Sequence, residues 1–243
     1  MSGLWAQRLL GLFGRRKNAV ESAADAVYVL VCKAVKRGGR VRVEDLLSAS
    51  ASVVGEACIA AAGDFDPRLH EHIPGSRVFS DRANALLCGD KSWEDAPPAS
   101  IAGTLRDSLT AAGFTRKDFP VLEDVFRLFV TNIGKEGEWG RVPLSVPENH
   151  RPYIMPLQIA YETREAVDKA LSALGEDAMS RLQACTQALA KALIQTKDVL
   201  SRLVATTLAL ETVNGMAKTA PMTRAAMMML MDKARAGSSD AAV

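Results

Sequence analysis

The sequence predicts an all-α fold, a multi-helix bundle with long C-terminal helices and irregular Pro/Gly-rich connections. Three observations predict it. About one residue in six of the 243 is alanine, the strongest helix former, while aromatic residues make up only 5%. Cap and stop signals recur, with Ser, Asn or Asp ahead of apolar-periodic runs and Gly behind them. Nine of the ten prolines fall between Pro67 and Pro156, which leaves the C-terminal third open to long helices. Hydrophobic residues at 48% and charged residues at 24% fit a chain that buries a core and exclude disorder over its whole length.

Taken in order, residues 3–17 place Trp5, Ala6, Leu9, Leu10, Leu12 and Phe13 on one arc of a helical wheel, opposite Gln7, Arg8 and Arg15. Gly11 and Gly14 weaken that helix by up to about 1 kcal/mol each relative to Ala, so it reads as short and marginal in water. Asn18 reads as the N-cap of a second helix running to Lys36, stopped by Gly38-Gly39. The alternation Arg40-Val41-Arg42-Val43 suggests a brief strand. Residues 44–62 read as a helix with a small-residue face, ended by Gly63. Within the irregular stretch 63–98, Ser80 caps a short helix closed by Gly89. Helices follow over 99–112, stopped by Gly113, and over 120–133, stopped by Gly134.

Residues 134–156 hold four prolines and three glycines, a connection long enough to suggest a functional role. A helix over 157–174 comes next, then a run from 176 to 214 without Gly or Pro. In that run Leu182, Leu189, Thr196, Leu203 and Leu210 share one heptad position, and Cys185, Ala192, Val199, Thr206 and Val213 another. A single helix of that length would span ~58 Å, against roughly 45 Å for the diameter of a compact chain of this size. A break between Thr196 and Ser201 is therefore expected, with Asp198 or Ser201 as the cap. The last helix is expected at 221–235. The domain reading is a basic amphipathic segment at 1–17, one helical domain at 18–236 with a sub-boundary near 155, and a disordered tail at 237–243.

The net charge of +2 hides an asymmetry. Residues 1–43 carry nine basic side chains against Glu21 and Asp25, a local +7, while the remainder sums to −5. Such a distribution points to an acidic partner at one end. An anionic membrane surface fits Trp5, Leu9 and Phe13 with Arg15, Arg16 and Lys17, since an amphipathic cationic helix lies in the headgroup plane. Docking of the same apolar arc on the bundle is the competing expectation. Nucleic acid is disfavoured, because the basic end lacks a helix-turn-helix or zinc pattern. No apolar run reaches the ~18 residues that span a bilayer, and the basic cluster follows the N-terminal apolar residues rather than preceding them, unlike a secretory signal. A cytoplasmic location is expected, with association to membranes through the N-terminus. Cys32, Cys58, Cys88 and Cys185 have no metal-clip spacing and read as free thiols.

Candidate sites are sparse. His70-Glu71-His72, with Asp64 and Asp66 nearby, is the one cluster of metal-ligand types, but no third His or Cys stands at a recognised spacing, so solvated turn residues are the expectation. No nucleophile elbow, Walker loop or dinucleotide fingerprint occurs. No cofactor, metal or catalytic residue is therefore assigned. Met227, Met228, Met229 and Met231 crowd one helix and cannot all face the same way, so a share of them is expected to meet a partner. Trp139, Arg141, His150, Arg151 and Tyr153 are interface types, and serve equally to pin their loop across the bundle. The sequence thus favours a non-enzymatic interaction protein, an adaptor or scaffold with a protein partner and scope for oligomers. The alternative is an enzyme or small-ligand binder with a pocket between helices lined by His70, His72 or His150.

Overall fold

The computed structural model describes residues 3–63, 72–89, 92–133 and 141–229, with side chains from Asn18 onward. It is a helical bundle, about two-thirds helix, with no strand among the described residues. Its helices are α1 (Gly3–Ala34), α2 (Val43–Ala62), α3 (Asp81–Leu87), α4 (Ile101–Ala111), α5 (Leu122–Thr131), α6 (Pro156–Ala170), α7 (Ala178–Thr196) and α8 (Arg202–Met216), followed by a helical stretch at 224–229.

The bundle is built around α2. Every residue from Asp45 to Gly55 is buried, because α7 and α8 cover two of its sides and α6, α3 and α1 pack on the rest. Such a helix is apolar or small all round rather than amphipathic. It is long and apolar enough to cross a membrane by length and composition, yet most of it lies inside the bundle. Its small residues bring its partner very close. A Cβ on Gly55 would sit 2.3 Å from Met216 Cβ and 2.9 Å from the Ala217 nitrogen, so only glycine permits this crossing of α2 and α8. Leu47, Leu189, Leu193 and Leu208 fill the interior, each contributing about 1.5–3 kcal/mol by burial.

Several local readings are confirmed. Ser80 accepts from the Ala83 N–H at the head of its helix, and the helix expected over 99–112 is α4, at whose head Ser100 accepts from the Gly103 N–H. The run from 176 to 214 breaks between Thr196 and Ser201, giving α7 and α8. Asp177 caps α7, and Ser201 takes the N-cap position of α8 without a side-chain bond. Val199 and Leu203, at the break and just after it, are exposed, and the heptad stripe resumes in α8 with Thr206, Leu210 and Val213 buried.

Others are corrected. Asn18 is not an N-cap: α1 runs unbroken from Gly3 to Ala34. Docking of Val20, Ala24, Val27 and Val31 in the core forms the helix, and extension toward the N-terminus then avoids a new nucleation step. The expected strand at 40–43 is absent. Gly38 and Gly39 turn the chain with φ of 53° and 82°, Arg37 and Arg40 exchange one bridge, and α2 begins at Val43. The helix expected over 120–133 is the shorter α5, and that over 157–174 is α6 followed by a 3₁₀ turn at Ser172–Leu174. Within the described residues, the helix expected over 221–235 spans 224–229. Residues 237–243 lie outside the described residues.

Candidate functional site

The part of 134–156 that the structure describes is an extended strap, 141–155, laid across the bundle between α5 and α6. It has little secondary structure, only a 3₁₀ turn at Glu148–His150. Its hold comes from the helices beneath. Val142 packs onto Gly215 of α8, where a Cβ would come within 2.5 Å of it. Three residues on, Ser145 donates both its N–H (2.8 Å) and its hydroxyl (2.5 Å) to the Glu211 carboxylate. Glu211 is buried, and burial pushes its carboxyl up while the Ser145 bonds pull it down.

The other end of the strap is clamped to the start of α2. Asp45 Oδ1 accepts from the N–H groups of Tyr153 (2.7 Å) and Ile154 (3.1 Å). The Arg42 guanidinium donates to the carbonyls of Arg151 (2.7 Å) and Asn149 (2.8 Å) and lies 3.9 Å from the centre of the Tyr153 ring. Glu44 pairs with Arg42 (3.2 Å) and with His150 Nδ1 (3.0 Å). Acidic residues in a first helical turn answer the helix dipole; here they also anchor a chain segment more than a hundred residues away.

Beside the strap lies a cavity of about 270 Å³, partly open to solvent. Leu128 and Asn132 of the α5 end form one wall, and Arg141 to Leu144 and Arg151 to Pro156 form the others. Three prolines, Pro143, Pro152 and Pro156, stiffen the rim. Tyr153 stands on it with 81% of its surface exposed. Among the described residues, no acidic side chain lines the cavity.

Comparison with family models, with curated proteins and with solved structures returns no match to this chain. The reading of the site rests on its own geometry.

Of the residues singled out from sequence, Arg141, Arg151 and Tyr153 line this cavity and His150 sits beside it on Glu44. His72 is exposed, on a different connection. His70, Asp64, Asp66, Trp139 and Met231 lie outside the described residues, as do the side chains of Trp5, Leu9, Phe13, Arg15, Arg16 and Lys17. The methionines divide: Met227 is buried with Met216, Met222 and Leu157, whereas Met228 and Met229 are exposed. Among the described residues the strap is pinned by carboxylates and Arg42, while Tyr153 stands exposed. Sequence reasoning missed Arg42, Asp45 and Glu211. One signal was available for Glu211, the lone charge in an otherwise uncharged run from Leu203 to Ala217.

A second polar group sits under α5. Lys218 is buried, donates to Asn214 Oδ1 (2.6 Å), and lies 4.3 Å from the Phe126 ring centre and 5.4 Å from that of Phe129. Burial pulls its ammonium down to about 8, the nearby Cys88 and Cys58 thiols opposing. The Cys58 thiol is pushed up to about 12 by burial, so it stays protonated and unreactive at neutral pH. This group ties α8 to its neighbours, for Asn214 also donates to the Val125 carbonyl of α5.

Proposed function

We propose that the chain is a non-enzymatic interaction protein, an adaptor that meets a protein partner through the strap face. The observation that carries this reading is the posture of Tyr153. A large aromatic ring stands 81% exposed, on a backbone fixed by two bonds to Asp45, beside a preformed cavity. An exposed tyrosine whose main chain is already immobilised loses little further entropy on binding and brings a large contact area. A photo-crosslinking residue placed at Tyr153 in the native cell should give a discrete higher-mass adduct. The same residue at Val199, exposed on the α7–α8 turn, should give none. Failure at Tyr153, or equal adducts from both positions, would overturn the proposal.

A second reading, contact with an anionic membrane, is favoured by the continuity of α1. Trp5, Leu9, Phe13, Arg15, Arg16 and Lys17 continue a helix whose nucleation residues 18–34 already supply, so insertion carries little folding cost. Co-sedimentation with phosphatidylserine vesicles at low salt tests it: the full chain should pellet and a chain shortened to begin at Asn18 should not. Equal behaviour of the two removes the membrane role.

A further inference from the structure

The cavity beside the strap carries positive charge that no carboxylate among the described residues pairs with. Arg141 and Arg151 both line it, both are exposed, and among the described residues neither has a carboxylate within ion-pair reach. Several arginines elsewhere are matched: Arg42 with Glu44, Arg164 with Glu56, Arg181 with Asp168, Arg127 with Asp124. Three of the acidic groups around the strap are already engaged, and Glu148 of the strap makes no ion pair with either arginine. Asp45 accepts two backbone N–H groups, Glu44 holds Arg42 and His150, and Glu211 is buried on Ser145. The lining itself combines apolar walls, Leu128, Leu144 and Ile154, with these two guanidinium groups.

Size and stiffness narrow the occupant. A volume of 270 Å³ equals that of about nine water molecules, room for one large side chain and too little for a nucleotide cofactor. The opening to solvent lets a chain pass along the rim, and the proline-stiffened wall is organised before anything binds. Guanidinium groups pair with carboxylates through parallel hydrogen bonds, and such charge-assisted bonds gain strength beside apolar walls that exclude water.

We infer that this groove docks an acidic peptide segment of the partner, one apolar side chain seated between Leu128 and Ile154 and flanking Asp or Glu carboxylates paired with Arg141 and Arg151. The inference rests on the strap face being an interface, and adds the chemistry of what that interface recognises.

A random peptide display library panned against the full chain tests it, with the double variant Arg141→Glu/Arg151→Glu as counter-target. Both positions are exposed, so the variant should keep the melting temperature of the parent. Enriched peptides should carry Asp or Glu beside Leu, Ile, Phe or Trp. Synthetic copies should bind the parent at least about tenfold tighter than the double variant, with affinity falling as salt rises. The Arg141→Lys/Arg151→Lys variant should retain part of the binding, since charge survives where the planar fork does not. Enrichment of peptides without acidic residues, equal binding to parent and double variant, or no enrichment at all would each overturn the inference. So would displacement of the peptides by inorganic phosphate together with phosphate-induced shifts of the strap amides, which would make this a small-anion site. Adducts at Tyr153 are read independently, so loss of the acidic preference with adducts intact removes only the recognition chemistry.

Discussion

The crossing of α2 and α8 and the strap that lies over α8 are held by different physics within a few residues of one another. At the crossing, Gly55 meets Met216 with no room for a methyl group, and wholly buried leucines surround the contact. The hold is close packing, spread over many weak contacts. At the strap, Val142 rests on Gly215, Val146 is buried with Leu144 and Ile154 packed beside the core, and a handful of hydrogen bonds with Asp45, Glu211 and Arg42 complete the hold. Packing distributes its energy and opens only with the whole fold. A few polar anchors concentrate it, and they open locally. A recognition face benefits from the second kind: it is rigid enough to present Tyr153 and separable enough from the core to vary without unfolding it.

Two glycines on either side of this divide break the comparison most sharply. Gly55→Ala puts a methyl against Met216 Cβ and the Ala217 backbone, neither of which can yield without parting the helices. We expect a loss of about 3 kcal/mol or more in urea denaturation, despite the roughly 1 kcal/mol that alanine gains over glycine in a helix. Gly215→Ala meets instead the side chain of Val142, which belongs to the strap. The strap can lift, and the same helix-propensity gain offsets part of the cost, so we expect about 1 kcal/mol or less. Hydrogen exchange separates the two outcomes. In Gly215→Ala the amides of Tyr153 and Ile154 should exchange faster while those of α7 stay protected; in Gly55→Ala all should accelerate together. Equal global losses from the two substitutions would make the strap an integral part of the core.

The same contrast governs how much was legible in the sequence. Helix starts at Ser80 and Ser100 are written locally, in a side chain that reaches an amide three residues on. The break after Thr196 follows from length alone, because a straight helix would overrun a compact body. Close packing leaves a compositional trace, the small-residue run from Ser48 to Gly55. The strap leaves almost none. Asp45 finds its amides at Tyr153 and Ile154, and Glu211 finds Ser145, across separations that no window spans. Arg42 reads locally as one residue of a brief alternating stretch and proves to be a clamp. The unbroken α1 was hidden for a related reason: tertiary docking of 18–34 outweighs the local penalties of Gly11 and Gly14.

Two buried charges, Glu211 on α8 and Lys218 in the turn after it, sharpen the comparison with a smaller effect, and pH separates them. Glu211 serves the strap, and burial raises its carboxyl above the ordinary 4.5. Its contribution is full below that ordinary value and is lost as pH rises through the raised one. Lys218 serves the seam between α8 and α5. Its ammonium falls from 10.5 to about 8, so the folded state prefers it neutral. Stability from this group is present above 10.5 and is lost as pH falls through 8. Cys58 and Cys185, both pushed up by burial, work the other way in alkali, full below 9 and lost as pH rises toward 12. A single alkaline titration would mix these trends. The difference between the parent and Lys218→Met cancels Cys185 and leaves the lysine together with its coupling to Cys58 and Cys88. Measured by urea denaturation from pH 7 to pH 10, that difference should shift in favour of the parent, by on the order of 2 kcal/mol across the window. Amides of the strap should be indifferent to the substitution, since Lys218 touches Asn214, Phe126 and Phe129 and none of the strap's anchors. A flat difference would mean that the ammonium is as well solvated folded as unfolded. A difference accompanied by faster exchange at Tyr153 would mean that the seam and the strap open as one unit.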